Sequence, residues 1–226
     1  AVKLGYRHLA FLGGMAVPAV LRYGYGFMQG ADTAAIELSV ADQVVIEYVY
    51  ANQFRGDSDI TAYMHDLYQE KGVEVAFACG GGVYTSVAEA ALEVENVKVI
   101  GVNVDQASII NSTYKEGLTL TSAEKKLGNT VNHMLEELIV NDNWSSYGKE
   151  TNSGLVSAEN LSMNYVGLPD STLWGDTFTQ ADYTQLIAKI IDGTYVVSDD
   201  TEEMPQTSCT VNDCGTIKGS VDLPET

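Results

Sequence analysis

The stretch "GVEVAFACGGGVYTSVAEAA" at residues 72–91 decides the fold, because it joins a buried strand to a helix through three glycines. The run "VEVAFA" is almost continuously apolar, as in a strand covered on both faces, and residues 83–95 have helical spacing. Such a turn can hold phosphate on free N–H groups, but the lysine and spacing of GxxxxGK[ST] are absent. We therefore interpret it as a tight turn in which Gly81 and Gly82 approach a neutral ligand and Tyr84 limits what fits.

The same strand-to-helix unit recurs along the first half of the chain. Further strands are predicted at residues 9–12, in "VVIEYVYA" at 44–51 and in "VKVIGV" at 97–102, with helices at 18–36 and 59–71 between them. The resulting β-α-β-α-β-α-β order predicts an α/β fold, a parallel sheet with helices on both faces.

Composition excludes several classes of protein. The 226 residues are 45% hydrophobic, and 12 Lys and Arg against 31 Asp and Glu give a formal net charge of -19. That charge repels phosphate backbones and anionic membranes, so we expect no nucleic-acid partner. Neither GxSxG, HExxH nor CxxC is present, and we expect a binding protein that is not an enzyme and needs no cofactor or metal.

The glycines of "GYGFMQG", Gly24, Gly26 and Gly30, are one residue too widely spaced for the dinucleotide pattern GxGxxG. We explain them by close packing of a helix on the sheet. Two cysteines, Cys209 and Cys214, lie close together in a polar tail and can pair in an oxidising compartment if their geometry allows it, whereas Cys79 is expected to be a buried, inert thiol.

Ligands of open parallel sheets bind beyond the carboxyl ends of the strands. Phe54 follows one predicted strand and either stacks on a planar ligand or folds back over the sheet. Asp105 follows another and either contacts the ligand or caps a helix. Lys125 is placed in the first turn of a helix predicted from Ser122 to about Asn141, where a cation opposes the helix dipole and either meets a polar partner or is solvated.

Four segments carry a family resemblance: "LAFLGGMAVPAVLRYGYGFMQGA" at 9–31, "YVYANQF" at 48–54, "VIGVNVDQ" at 99–106 and "LTSAEKK" at 120–126, beside the opening stretch. Together they resemble the basic membrane protein family of substrate-binding lipoproteins, which includes purine nucleoside receptors of ABC importers. The resemblance implies a two-lobed type I periplasmic binding protein fold. It also implies an extracytoplasmic protein, held at the membrane only by an N-terminal lipid anchor, that serves an ABC permease.

The resemblance also implies a division of the chain. Residues 1–117 correspond to a nearly complete second lobe, 118–168 to crossing segments and a helix of a partial first lobe, 169–197 to a return to the second lobe, and 198–226 to an irregular tail. Hinges are expected near Leu118 to Ser122 and near Val166 to Leu168. The abrupt start in a strand leads us to expect that an N-terminal portion is missing.

By position in the family motifs, Phe54 resembles the aromatic residue of the second lobe that stacks on the nucleoside base. Asp105 and Lys125 resemble the polar residues that hold the ribose. The chain departs from the family at Tyr84 and Ser86, where glycines are common, so its loop is bulkier. The implied ligand is a purine nucleoside; a sugar-binding protein and a ligand-sensing receptor or regulator of the same fold are the alternatives.

Overall fold

The computed structural model describes residues 1–149 and 151–217, in which a single sheet of seven strands forms the centre. The strands are β1 (His8–Gly13), β2 (Val45–Tyr50), β3 (Val75–Cys79), β4 (Lys98–Asn103), β5 (Thr119–Lys125), β6 (Val166–Gly167) and β7 (Thr210–Thr216). Their order in the sheet is β6-β5-β4-β3-β1-β2-β7, and every neighbouring pair is parallel except β5 with β6. The predicted α/β fold with a parallel sheet is confirmed.

Helices cover both faces of the sheet, also as predicted. The helices are α1 (Pro18–Glu37), α2 (Ser58–Gln69), α3 (Tyr84–Ala90), α4 (Ala107–Thr113), α5 (Leu127–Leu135), α6 (Trp144–Tyr147) and α7 (Gln180–Ile191). Helix α1 packs on one face in a core with Phe11, Tyr48 and Phe77. Helices α2, α3 and α4 pack on the other face in a core that includes Met64 and Val87. None of the helices in the described ranges is long and apolar enough to span a bilayer.

The prediction of a helix beginning at Ser122 is wrong. Residues 119–125 form β5, because the segment pairs in parallel with β4 and buries Thr119, Leu120 and Ser122. The Ser122 hydroxyl accepts a hydrogen bond from the backbone N–H of Gln106 at 3.1 Å instead of capping a helix. Lys125 is therefore the last residue of a strand, and α5 begins at Leu127 and continues into a π-helical turn at Glu136–Val140.

All of the expected hinge at Leu118 to Ser122 except Leu118 lies inside this strand. The chain leaves the sheet only after Lys125 and returns at β6, where the Lys126 N–H donates to the Tyr165 carbonyl at 2.7 Å. The assignment of residues 118–168 to crossing segments and a helix of the first lobe stays a prediction.

The predicted irregular tail at residues 198–226 contains a strand. Thr210–Thr216 form β7, which pairs in parallel with the outer edge of β2, with Val45 opposite Thr210. Its sequence, "TVNDCGT", is polar because the strand lies at the edge of the sheet and exposes most of its side chains. Residues 218–226 of the predicted tail lie outside the described residues.

The three cysteines are free thiols. Cys209 packs in the core beside α1, whereas Cys214 packs against the core of the opposite face, so the tail cysteines point away from each other and the disulfide considered above is not formed. Cys79 is buried, as predicted, and burial raises the pKa of its thiol to about 12, opposed by the nearby charge of Lys125.

Only one of the three α1 glycines is required by packing. A Cβ at Gly24 would lie 2.1 Å from the Tyr48 hydroxyl and 2.9 Å from the Phe11 ring, whereas a Cβ at Gly26 or Gly30 would meet no atom within 4 Å. Close packing on the sheet therefore explains Gly24 and not the other two.

We expect opposite effects from alanine at two of these positions. Gly24→Ala should lower the free energy of unfolding by about 1–3 kcal/mol, because the buried Tyr48 and Phe11 must move. Gly26→Ala should raise it by about 0.5–1 kcal/mol, because a helical glycine is replaced where there is room. Urea unfolding of the two variants measures both; shifts in the same direction would contradict this packing.

Candidate functional site

The loops predicted to bind ligand lie along one edge of the sheet. Because β1 to β5 run parallel, Phe54 after β2, Gly81 and Gly82 after β3, Asp105 after β4 and Lys125 at the end of β5 all lie at the carboxyl ends of the strands. The turn after β1, at Gly14, lies between the Phe54 loop and the glycines. The structure thus brings these residues to the edge where open parallel sheets bind ligands.

The Phe54 ring rests on glycine backbone. A Cβ at Gly14 would lie 2.4 Å from the ring and a Cβ at Gly80 would lie 3.3 Å from it, so both positions must lack side chains for the ring to lie there. The ring remains 45% exposed. The ring is thus folded back over the β1 and β3 turns with part of its surface exposed, and stacking of that surface on a planar ligand stays a prediction.

The glycines after β3 are in direct contact with the loop that carries Phe54. The Gly82 N–H donates to the Phe54 carbonyl at 2.8 Å, and a Cβ at Gly81 would lie 3.2 Å from the same oxygen. Gly81 also has a φ of +51°, a conformation that favours glycine. Direct contact of these two glycines with a ligand stays a prediction.

Tyr84 is the first residue of α3 and is half-buried. Its ring packs against the core shared by α2, α3 and α4, and Tyr114 lies close enough that its raised pKa, caused first by burial, has a smaller contribution from Tyr84. The influence of Tyr84 on ligand size stays a prediction.

Asp105 is exposed, and one carboxylate oxygen has two donors. The Ala107 N–H, at the first residue of α4, donates to it at 3.0 Å, and the Ser171 hydroxyl donates to it at 2.8 Å. Asp105 thus lies one residue before Gln106, the N-cap of α4, and its contact with a ligand stays a prediction. Ser171 belongs to the segment that follows β6, so Asp105 also links the ligand edge to the returning chain.

Lys125 is exposed at the end of β5, and its Nζ lies 5.4 Å from the centre of the Tyr23 ring. This cation–π contact directs the lysine toward the α1 side of the sheet edge. The histidines lie elsewhere: His8 contacts Glu47, His65 contacts Glu93 and His133 contacts Tyr147. Within the described part of the chain, no group of three His, Cys, Asp or Glu side chains is placed to hold a metal ion.

A groove of about 740 Å³ lies between α1 and α7, with Phe77, Ile100 and Thr121 among its lining residues. None of the six residues predicted to bind ligand lines it. The candidate site is thus the open edge of the sheet and not this groove.

Comparison with known proteins now places this geometry in a family. The family model for ABC transporter substrate-binding proteins described as PnrA-like, the Bmp family, matches residues 1–191. The chain belongs to the Bmp family. Bmp members are substrate-binding proteins and not enzymes, which agrees with the absence of a catalytic motif from the sequence.

Relatives of this Bmp protein are longer than the chain. The ABC transporter nucleoside-binding protein BmpA of Lactococcus lactis subsp. cremoris is 27% identical over 140 residues, covering 57% of this chain and 38% of the relative. Solved ABC transporter solute-binding proteins of Conexibacter woesei and Aeropyrum pernix are 18% and 16% identical, with TM-scores of 0.54 and 0.55. Each alignment covers 86% of this chain and 58% of the solved chain, and each shows a shared fold, that of periplasmic binding proteins.

Sequence reasoning missed the residues that support the site. Ser86 and Gln53 donate hydrogen bonds to Asp57 at the end of the Phe54 loop, and Ser171 donates one to Asp105. The Ser86 and Ser171 contacts join residues 29 and 66 positions apart, for which the local pattern carries no signal.

Proposed function

We propose that the protein is the extracytoplasmic solute-binding component of an ABC importer and that it binds a purine nucleoside at the carboxyl edge of the sheet. Membership of the Bmp family and likeness to a relative named as nucleoside-binding support this proposal. The observation that carries it is the half-exposed Phe54 ring packed on glycine backbone, a flat apolar surface at the carboxyl edge of the sheet. Such a surface suits a purine base.

In this proposal three of the predicted residues contact the nucleoside through their side chains. Phe54 stacks on the base, and Asp105 and Lys125 hold the ribose hydroxyls. Asp105 follows β4 and Lys125 ends β5, which are two and three strands away from β1 along the edge. The formal charge of -19 favours a neutral ligand over an anionic one, since the field of the protein repels anions. For the same reason the proposal includes no nucleic-acid partner.

The segment between β5 and β6 supports the existence of the first lobe. Leu127, Val131, Leu135 and Ile139 recur every four residues along α5 and the turn after it, and each is more than half exposed. Residues spaced by four form one stripe on a helix, and an exposed apolar stripe marks a contact surface. We infer that this stripe packs in the first lobe, and that residues 118–168 supply a part of that lobe. The greater length of the solved relatives supports this inference.

Ligand uptake then consists of closing two lobes around the nucleoside, with bending where the chain leaves β5 and where it returns at β6. The closed form is presented to an ABC permease. Attachment to the membrane through an N-terminal lipid anchor is part of the same proposal.

A thermal-shift series on the full-length protein tests the proposed ligand. Adenosine, inosine and guanosine at about 100 times their dissociation constant should stabilise the fold by about 2.7 kcal/mol, a rise in melting temperature of about 5–10 °C. Ribose, glucose and free adenine are the controls and should each give a smaller shift. Stabilisation by a sugar and by no nucleoside would overturn the nucleoside assignment.

A further inference from the structure

The first turn of α3 holds the loop that carries Phe54, although the two segments are about 30 residues apart in sequence. The Ser86 hydroxyl donates to the Asp57 carbonyl at 2.9 Å, and Ser86 is only 2% exposed. A buried hydrogen bond between two elements fixes their relative position, since the separated groups would each lose a partner. Ser86 therefore ties the end of the Phe54 loop to the helix that follows the glycine turn.

The contact is tight because Gly56 leaves no gap. A Cβ at Gly56 would lie 2.1 Å from the Thr85 hydroxyl, 2.6 Å from the Ser86 hydroxyl and 3.0 Å from the Ser86 N–H. Only glycine lets the loop lie this close to α3. The backbone of the loop at Gly56 therefore packs directly on the first turn of α3.

A second tie acts within the loop itself. The Gln53 side chain is buried, and its Nε2 donates to the Arg55 carbonyl at 3.1 Å and to the Asp57 carboxylate at 2.5 Å. Asp57 in turn caps α2 by accepting the Ile60 N–H at 2.9 Å. Phe54 therefore lies in a short loop that is fixed on both sides of it.

We propose that Ser86 is a positioning residue for ligand binding: through the Asp57 carbonyl it holds the loop so that the Phe54 ring stays on Gly14 and Gly80, ready to stack. This inference rests on the proposed function, because it assigns Ser86 an effect on the same site. A ring that is already in place loses less conformational entropy when a ligand stacks on it, which strengthens binding. Ser86 acts through Phe54 and does not itself touch the ligand.

The chain offers a matched control for this contact. The Thr61 hydroxyl donates to the same Asp57 carbonyl at 3.0 Å and to the exposed Glu89 carboxylate of α3 at 3.2 Å, but Thr61 belongs to α2. Thr61→Ala therefore removes a hydroxyl from the same oxygen, together with an exposed contact between α2 and α3, while the Ser86 hydrogen bond to the loop stays in place. Ser86→Ala removes the contact between the elements.

The experiment combines binding with a spectroscopic signal in the free, full-length protein. With 4-fluorophenylalanine incorporated, the ¹⁹F resonance of position 54 is assigned as the one missing from Phe54→Leu. Ser86→Ala should broaden or shift this resonance, whereas Thr61→Ala should leave it unchanged. Ser86→Ala should also weaken adenosine binding about 2- to 10-fold, as expected when one more side chain must be ordered on binding, and Thr61→Ala by less than about twofold.

A double-mutant cycle separates positioning from a general loss of stability. In a Phe54→Ala background, Ser86→Ala should weaken adenosine binding no further, because the ring through which it acts is gone. Equal weakening in both backgrounds, or an unchanged resonance in Ser86→Ala, would overturn the positioning role. If the parent protein fails to bind adenosine, the proposed function fails, and the resonance of the free protein still decides whether Ser86 positions Phe54.

Discussion

Phe54→Ala is expected to weaken adenosine binding about 5- to 150-fold, the range given by losing one base–aromatic stack worth about 1–3 kcal/mol. The ring lies on Gly14 and Gly80 with its remaining surface exposed, so the alanine variant removes a flat contact and leaves bare glycine backbone. Isothermal titration of the full-length protein measures the change. The base, and not the ribose, should account for the loss.

Stability should hardly change in this variant, because the ring is 45% exposed and its removal opens no buried cavity. Leu92→Ala is the matched control: Leu92 is 46% exposed and lies in the turn after α3, away from the ligand edge. Phe54→Trp keeps an aromatic surface and should retain binding within a few fold. Equal binding by wild type and Phe54→Ala would exclude the stacking role.

The position of the ligand edge could be predicted from the sequence, because it depends on strand order alone. Runs such as "VEVAFA" identify the strands, and parallel strands place their carboxyl ends together. The orientation of Phe54 could not be predicted, since it depends on contacts with Gly14 and Gly80 that are 40 and 26 residues away. Packing between distant segments decides which side of such a ring is covered.

Two elements were misassigned for physical reasons that local patterns do not contain. In "TLTSAEKK" the serine followed by a charged stretch is typical of a helix start, but pairing with β4 continues the strand past Ser122 to Lys125. In "TVNDCGT" the polar composition is typical of a loop, but the segment pairs with the edge of β2. Tertiary contacts override propensity at both places.

The contact that holds β7 in place involves a buried carboxylate. Glu47, in the middle of β2, is 2% exposed and accepts hydrogen bonds from Lys71, Asn212, Cys214 and His8. Burial alone would raise its pKa, but these donors outweigh burial and lower the pKa from 4.5 to about 2. Two of the donors, Asn212 and Cys214, belong to β7, so the carboxylate attaches the last strand to the sheet.

This shift gives a pH dependence with a definite sign. The pKa of Glu47 is lower in the folded protein than in the unfolded chain, so the unfolded state binds the proton more readily as the solution is acidified. The stabilisation is fully present above pH 4.5 and is lost as the pH falls toward 2. A shift of this size corresponds to about 3 kcal/mol of stability at neutral pH.

Glu47→Gln is therefore expected to lower the free energy of unfolding at pH 7 by about 3 kcal/mol, because the charge that the four donors stabilise is removed. Urea unfolding should show the gap between wild type and variant closing as the pH falls from 4.5 to 2, and amide exchange should show that Thr210–Thr216 lose protection first. Glu37→Gln, which removes the charge from the more exposed contacts of Glu37 with Lys3 and Tyr195, is the control and should cost less than about 1 kcal/mol. A gap that stays constant with pH would mean that Glu47 stabilises β7 through its shape and not through its charge.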